Sequence, residues 1–391
     1  MPASKPKLSL AMIVKNEARC LTSCLRSVRA MLDEIIIADT GSTDGTIEIA
    51  REFGAKISHC DWADDFSAAR NFALDQTSGD WILVLDADEF ASDALTTEIG
   101  AFVQKPPAIG RLKIVSDFRR HGQTLRSQSF VARLFPRGAR FQGRIHEQIV
   151  SPLRRVNLRG ELWHDGYLET KKSGRNVKLL LAELEREPEN GYLLYQLAIE
   201  YTSLDQPENA FHCLQKAFAG MKNEDPFAPN VAVDFLYAAM ALKKFDDGVQ
   251  VINQSEKSLA DFPDFQLARG LFYMNLIRSN AAKYIGALPE IEKSFQRCLR
   301  LGETEKYKSV HGSGSFLANY NLGVFYHAFG NADGARKCFA AAAAQGHEPA
   351  AAMLKNKVTE RWPRPPAFPP GPFRSFARRS ATRAIIFPSA R

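Results

Sequence analysis

The first 90 residues alternate between short apolar runs and stretches of helical period. Apolar runs from Leu8 to Val14, Ile35 to Ala38 and Trp81 to Leu85 are typical of strands that are buried on both faces of a parallel sheet. Between them, Ala18 to Met31 and Phe66 to about Gln76 repeat apolar residues at helical spacing, which predicts helices. A further helix from Thr46 and a short strand near Ala55 to Ser58 complete the order. The alternation predicts βαβ units and therefore an α/β domain with a mostly parallel sheet.

The pattern changes twice along the rest of the chain. From Arg111 to Val150, short extended pieces at 112–115, 129–135 and 145–149 replace the βα alternation. Beyond Lys171 the chain becomes a series of amphipathic helices, and Leu180 lies 34 positions before Leu214, the period of tetratricopeptide repeats. Two sets of positions share the same internal spacing: Leu197, Ala198, Tyr201, Ala210, Leu214, Ala217 and Leu322, Gly323, Tyr326, Ala335, Phe339, Ala342.

Generic helical hairpins are the alternative interpretation of this half, and they would still give a block like an α-solenoid. Residues 359–391 are rich in proline and arginine and do not have the pattern of a packed element. We therefore expect three segments: an α/β domain at residues 1–170, helical repeats at residues 171–358, and a disordered tail at residues 359–391.

Charge and composition narrow the classes of partner. The formal net charge is +7, but the tail holds seven arginines and one acid, so the remaining body is nearly neutral. A basic face that could bind nucleic acid is therefore not expected. No apolar run approaches the roughly 20 residues of a membrane span, and the six cysteines lack CxxC spacing. We expect a soluble cytoplasmic protein with reduced thiols, which touches an anionic membrane at most peripherally through its tail.

Carboxylates follow the strand that begins at Trp81. Asp86, Asp88 and Glu89 come directly after Leu85, and alternation along an extended chain puts Asp86 and Asp88 on the same side. The carboxyl edge of an open α/β sheet is where ligands bind, and paired hard oxygen ligands suit a divalent cation. A solvated turn or a helix N-cap is the alternative for such acids.

A second candidate loop follows the strand that ends at Ala38. Its residues 40–45 contain two glycines but lack both the Gly-Lys-Ser/Thr ending of a P-loop and the G-x-G-x-x-G spacing of a dinucleotide fold. Neither an NTPase nor a dehydrogenase is supported. Asp39 is placed to hold a ribose hydroxyl or a base edge, whereas Asp44 either joins that site or orders the turn before the next helix.

Together these stretches carry a specific resemblance. Four segments stand in the order and at the spacing of a glycosyltransferase of family 2 with the GT-A fold: Met12 to Glu17, Asp39 to Thr46, Asp65 to Asn71, and Asp86 to Glu89. The later segments 133–136, 145–147 and 164–167 resemble the subgroup in which such a domain is joined to tetratricopeptide repeats.

This resemblance implies a chemistry and a set of roles. A nucleotide-activated sugar, with a UDP-sugar as the favoured donor, would be attacked at its anomeric carbon in one inverting step. The resemblance implies a divalent metal, Mn²⁺ or Mg²⁺, to which Asp88 and, as our choice of second ligand, His164 would bind. The expected donor-binding residues are Glu17, Asp39, Asp44, Arg70 and Asp86.

The general base and the acceptor are less directly indicated. Glu147 is the candidate base by position, with Asp117 and Asp165 as rivals, because the acidic pair of many family members is missing here. The helical repeats would offer an extended surface for an acceptor protein or peptide, although similar domains also glycosylate lipid-linked saccharides.

Two hypotheses from other classes compete with this one. The chain could be a non-catalytic repeat scaffold with a degenerate first domain, but gathered carboxylates at a strand edge have no use in a scaffold. It could also be a nucleotidyltransferase, but Lys15 to Ala18 is not the basic, glycine-rich triphosphate loop that such an enzyme needs.

Overall fold

The computed structural model describes residues 5–120, 123–164 and 174–355. The chain divides into two compact units, of which the first ends at Leu204 and the second begins at Asp205. The predicted boundary at residues 170 and 171 and the predicted tail lie outside the described residues, and both stay predictions. No helix in the described part of the chain is long and apolar enough to cross a membrane.

The first unit contains a large mixed sheet flanked by helices. Its strands are β1 (Leu8–Val14), β2 (Glu34–Asp39), β3 (Lys56–His59), β4 (Trp81–Val84), β5 (Glu89–Ala91), β6 (Ile109–Arg120), β7 (Gln123–Pro136), β8 (Arg140–Gln142), β9 (Gln148–Val150) and β10 (Arg155–His164). Its helices are α1 (Leu21–Val28), α2 (Thr46–Glu52), α3 (Phe66–Asp75), α4 (Asp93–Phe102), α5 (Arg175–Arg186) and α6 (Gly191–Ser203), and a 3₁₀ turn (Arg29–Met31) follows α1.

The sheet has the order β3-β2-β1-β4-β7-β6-β10-β5. Strands β3, β2, β1 and β4 pair in parallel, as the βα alternation predicted. Strand β7 joins β4 and β6 in antiparallel fashion, β10 returns parallel to β6, and β5 closes the edge antiparallel to β10. The first unit is thus an α/β domain with a mostly parallel mixed sheet.

Side-chain alternation along β1 builds a core on each face of the sheet. Leu8, Leu10 and Met12 join one buried cluster with residues of α1 and α4. Ala11 joins a second cluster with residues of α3 and of the small β8-β9 ribbon. Every residue of β4 is buried, which confirms the strand predicted from Trp81 and fixes the position of the carboxylates that follow it.

The region from residue 111 to residue 150 differs from the prediction. Instead of separate short pieces, β6 and β7 form one long antiparallel ribbon, and residues 145–147 are not in a strand. The polar residues Arg126 to Gln128 resemble a turn in the sequence. In the structure they lie within β7, where the outer part of the ribbon is only partly buried and apolar alternation is not required.

Within residues 205–355, the second unit has helices and, as its strand, the two-residue β11 (Ser309–Val310). Its helices are α7 (Pro207–Gly220), α8 (Ala228–Ala241), α9 (Phe245–Ser255), α10 (Pro263–Ser279), α11 (Ala281–Tyr284), α12 (Leu288–Leu301), α13 (Phe316–Ala328), α14 (Ala332–Ala343) and α15 (Glu348–Lys355), with a 3₁₀ turn (Ile285–Ala287) before α12. In α13 and α14, the repeat positions Leu322, Gly323, Ala335, Phe339 and Ala342 are buried. A Cβ on Gly323 would lie 2.7 Å from the Phe339 ring, so the small residue permits the close packing predicted for a repeat hairpin.

Candidate functional site

The predicted site residues of the first unit follow the carboxyl ends of neighbouring strands. Glu17 follows β1, Asp39 ends β2, and Asp86 and Asp88 follow β4. Hydrogen bonds join the loop after β1 to the loop after β2. The amide of Asn16 donates to Ser42 Oγ at 3.0 Å, and the amide of Glu17 donates to Thr46 Oγ1 at 2.7 Å. The strand-edge rule thus brings these four acids to one rim of the sheet.

Asp39 and Asp44 both accept hydrogen bonds from the loop between them. Asp39 is 8% exposed and accepts the amides of Gly41 and Ser42 at 3.2 and 3.0 Å. Asp44 accepts the amide of Thr46 at 3.0 Å and that of Ala18 at 3.1 Å, and the Thr46 hydroxyl lowers its pKa. The described contacts of Asp44 therefore order the turn before α2, and its part in donor binding stays a prediction.

A chain of charged side chains runs through Asp86, which is 34% exposed, whereas the other four members are nearly buried. Arg70 Nη2 donates to Asp86 Oδ1 at 2.8 Å, and Arg133 Nη2 donates to Asp86 Oδ2 at 2.6 Å. At the two ends, Arg70 Nε donates to Glu147 Oε1, and Arg133 Nη2 donates to Glu89 Oε1 at 2.6 Å. Both guanidinium groups are almost fully buried, so each charge depends on the next for compensation.

The pKa values follow from this arrangement. Burial would raise the pKa of Asp86, but Arg133 and Arg70 outweigh it and hold the pKa far below its usual range. Burial raises the pKa of Glu89 to about 7 against the attraction of Arg133. Burial, Asp88 and Asp86 together raise the pKa of Glu17 to about 7. Asp86 is therefore the firmly ionised member, because it is the one that lies between two guanidinium groups.

Helix α3 presents Arg70 because hydrogen bonds fix its first two turns. Asp65 is the N-cap residue, and its Oδ1 accepts the Ala68 amide at 2.9 Å. Ser67 Oγ donates to the carbonyl of Gly143 at 2.6 Å, and Asn71 exchanges two hydrogen bonds with the backbone of Phe141. The helix is thereby joined to the segment that carries Glu147, which explains why two residues 77 positions apart meet.

Asp88 and His164 lie together at the same rim. His164 ends β10, which pairs with β5 directly after Asp88, and its Nε2 is 3.4 Å from Asp88 Oδ2. Burial raises the pKa of Asp88, and His164 opposes that rise. A carboxylate and an imidazole at this separation fit two adjacent ligands of a transition-type divalent cation.

The protein supplies few ligands there. Within residues 5–120, 123–164 and 174–355, no group of three or more His, Cys, Asp or Glu side chains could hold a metal ion. Cations that bind nucleotide phosphates usually take one or two protein carboxylates, and the substrate and water supply the rest. The pair of Asp88 and His164 fits that pattern, although its role as a metal site stays a prediction.

Arg133 and Glu89 were not among the predicted site residues. Arg133 lies on β7, 47 positions from Asp86, and the antiparallel return of β7 beside β4 was not foreseen. The available signal was a charged residue directly before Leu134 and Phe135, which are fully buried, because such a charge needs a buried partner. Of the two rivals for the base, Asp117 is paired with Arg126 at 2.7 Å, and Asp165 lies outside the described residues.

Comparisons with known proteins agree with this geometry. The family model described as glycosyl transferase family 2 matches residues 9–162. A TPR repeat-containing protein of Synechococcus elongatus is 37% identical over 218 residues, which cover 54% of this chain and 51% of that protein. The glycosyltransferase SunS of Bacillus subtilis is 30% identical over 232 residues, which cover 56% of this chain and 54% of that protein.

The chain thus spans about half the length of these curated relatives. A crystal structure of glucosyl-3-phosphoglycerate synthase from Mycobacterium tuberculosis aligns with 29% of this chain. The alignment includes 44% of the synthase chain, with 22% sequence identity and a TM-score of 0.24. The TPR-named relative agrees with the helical repeats predicted after the sheet domain. The model described as glycosyl transferase family 2 thus matches the part of the chain that contains the sheet, residues 9–162.

Proposed function

We propose that this protein is an inverting, metal-dependent glycosyltransferase that moves a sugar from a nucleotide-sugar donor, a UDP-sugar by preference, to an acceptor. The observation that supports this most is Asp86, which is held between Arg70 and Arg133 beside the pair of Asp88 and His164. Such a rim combines fixed positive donors with a carboxylate and an imidazole, which suits a diphosphate and its cation.

Each residue near the rim has a proposed task. Asp39 and Glu17 would anchor the base and ribose of the donor, and Asp44 would support the same loop. Arg70 would face the phosphates, because its buried Nη1 has no hydrogen-bond partner among the described residues and a phosphate oxygen would satisfy it. Asp86 would keep Arg70 in that orientation.

The cation would be Mn²⁺ or Mg²⁺, with Asp88 and His164 as its protein ligands. When bound, it would neutralise the negative charge that develops on the diphosphate leaving group. The oxygen of the acceptor would form the new bond to the anomeric carbon while the bond to the diphosphate breaks on the opposite face. Glu147 is the proposed base for the acceptor proton.

Glu147 also contacts Arg70, which leaves one of its two oxygens for the proton of the acceptor. Its Oε1 accepts from Arg70 Nε, so that oxygen is already engaged. Its proton would therefore be taken at Oε2. In a Glu147→Gln variant, we expect the rate of transfer at saturating donor to fall by about a hundredfold or more, as for loss of a general base, a larger effect than any weakening of donor binding through Arg70. A variant with near-normal transfer would exclude Glu147 as the base.

The acceptor is proposed by class. A protein or peptide that is recruited by the helical repeats fits an extended helical surface, and a glycolipid is the alternative. We further propose that the protein acts in the cytoplasm, with at most peripheral membrane contact through the basic residues after Thr359.

The donor and the metal can be tested together by ligand-dependent stabilisation. A thermal-shift panel of nucleotide sugars is measured with Mn²⁺, with Mg²⁺ and with EDTA. We expect at least one nucleotide sugar to raise the melting temperature only when a divalent cation is present, because ligands that bind the folded state stabilise it. No shift with any donor would contradict the proposed function and favour the scaffold hypothesis.

A further inference from the structure

The helices α5 and α6 belong to the first compact unit, together with the sheet. They lie against the segment 143–148, which carries Glu147. Glu183 of α5 is 3.7 Å from Arg144, and the ring of Tyr192 on α6 stands edge-on to the ring of His146, with their centroids 6.4 Å apart. The hairpin of α5 and α6 therefore contacts the residues on the amino-terminal side of Glu147.

The Tyr192 hydroxyl reaches the other side of Glu147. It is hydrogen-bonded by the side chains of Gln148 and Gln196, and burial raises its pKa. Gln148 Nε2 in turn donates to the carbonyl of His146 at 3.1 Å. Tyr192 thus contacts one neighbour of Glu147 with its ring and the other with its hydroxyl.

The backbone between these contacts has an unfavourable conformation. His146 has a φ of +53°, in the left-handed region that residues other than glycine rarely adopt. Such a conformation persists only where the surroundings impose it. The hydrogen bond from Gln148 to the His146 carbonyl, and the packing of Tyr192, are contacts that impose it here.

Glu147 is the first link from this loop to the proposed donor site. It accepts from Arg70 Nε, and Arg70 donates to Asp86. We propose that Tyr192 is a positioning residue. By fixing Gln148 and His146, it orients Glu147, which in turn orients Arg70. The hairpin of α5 and α6 would therefore contribute to donor binding by the transferase domain. This proposal rests on the proposed function, because the effect of Tyr192 is measured as UDP affinity at the proposed donor site.

The test uses the full-length chain with the substitutions Tyr192→Phe and Gln148→Ala, and their combination. Tyr192→Phe keeps the ring and removes only the hydroxyl. We expect faster amide hydrogen exchange in residues 143–150 and UDP binding with Mn²⁺ that is weaker by about tenfold, the factor for one lost hydrogen bond. The double variant should be little worse than the single variants, since both remove the same connection.

Leu181→Ala is the matched control, because Leu181 lies on α5 of the same hairpin and is 43% exposed. It should change neither measurement. Unchanged exchange in residues 143–150 of Tyr192→Phe, or faster exchange with unchanged UDP affinity, would overturn the proposal. If the wild-type protein bound no nucleotide, the proposed function would fail, while the exchange measurement would still decide whether Tyr192 fixes the Glu147 loop.

Discussion

Arg70 Nη2 lies 2.8 Å from Asp86 Oδ1, and this ion pair decides how the two aspartates after β4 divide their roles. The second oxygen of Asp86 accepts from Arg133, so both of its oxygens are engaged by buried guanidinium groups. Asp88, two residues later, faces His164 instead. We therefore propose that Asp88 binds the cation and that Asp86 orients Arg70.

The burial of Arg133 leads to a prediction about stability. In Arg133→Met, Glu89, which is 1% exposed, loses its guanidinium partner. We expect the free energy of unfolding to fall by about 3–5 kcal/mol, because Glu89 must either keep an uncompensated buried charge or take up a proton, and Asp86 loses one of its two guanidinium partners. Urea unfolding of the purified protein measures this change.

Arg140→Met is the control for this prediction. Arg140 pairs with Asp75 at 2.7 Å, but the two side chains are 46% and 63% exposed. Exposed pairs contribute roughly 0–1 kcal/mol. Equal decreases in the free energy of unfolding of the two variants would show that burial does not determine how much the Arg133 ion pairs stabilise the fold.

Gly160 fixes the contact between β10 and α4. Its φ is +90°, and a Cβ there would lie 2.4 Å from the amide nitrogen of Leu95. Gly160→Ala should lower the free energy of unfolding by roughly 2–5 kcal/mol, since it combines backbone strain with a clash. Gly100→Ala, within α4 and with no atom within 4 Å of the added Cβ, should instead stabilise by about 0.5–1 kcal/mol. Chemical denaturation compares the two variants, and a neutral Gly160→Ala would contradict this account of the contact between β10 and α4.

Glu34 gives a prediction about pH. Burial would raise its pKa, but hydrogen bonds from Lys56, Ser78 and Ser9 hold the pKa at about 2, below its ordinary value of 4.5. A depressed carboxylate pKa stabilises the folded state above the unfolded-state value, and this contribution is lost as the pH falls from about 4.5 toward 2.

Glu34→Gln should therefore lower the free energy of unfolding at pH 7, and its difference from the wild type should shrink as the pH falls below about 4.5. Urea unfolding at pH 7, 4 and 3 checks this. A difference that stays constant across these values would mean that the hydrogen bonds of Glu34, rather than its charge, carry the effect.

Much of the first unit could be predicted from the sequence, for a physical reason. Strands such as β1 and β4 are buried on both faces, so their apolar runs are unbroken or nearly so, and the acids at their ends are conspicuous. Asp39, Asp86 and Asp88 were found in this way. The long β6-β7 ribbon was not, because its outer half is partly exposed and its polar residues resemble a turn.

The contacts that complete the site could not be predicted. Arg133 and Glu147 meet Asp86 and Arg70 through the antiparallel placement of β7 and the path of the 143–148 segment. No local pattern encodes either arrangement. The left-handed φ at His146 was equally hidden, because histidine indicates this conformation much less strongly than glycine does.

The most direct test of the central claim is Mn²⁺-dependent hydrolysis of nucleotide-sugar donors, which needs no acceptor. We expect the wild-type protein to release nucleotide diphosphate, EDTA to stop the reaction, and Asp88→Asn to lower its rate by about a hundredfold or more, because a ligand of the cation is lost. Asp75→Asn, which changes an exposed carboxylate, should keep the wild-type rate. Hydrolysis that persists in EDTA or in Asp88→Asn would contradict the assignment of a catalytic cation to Asp88.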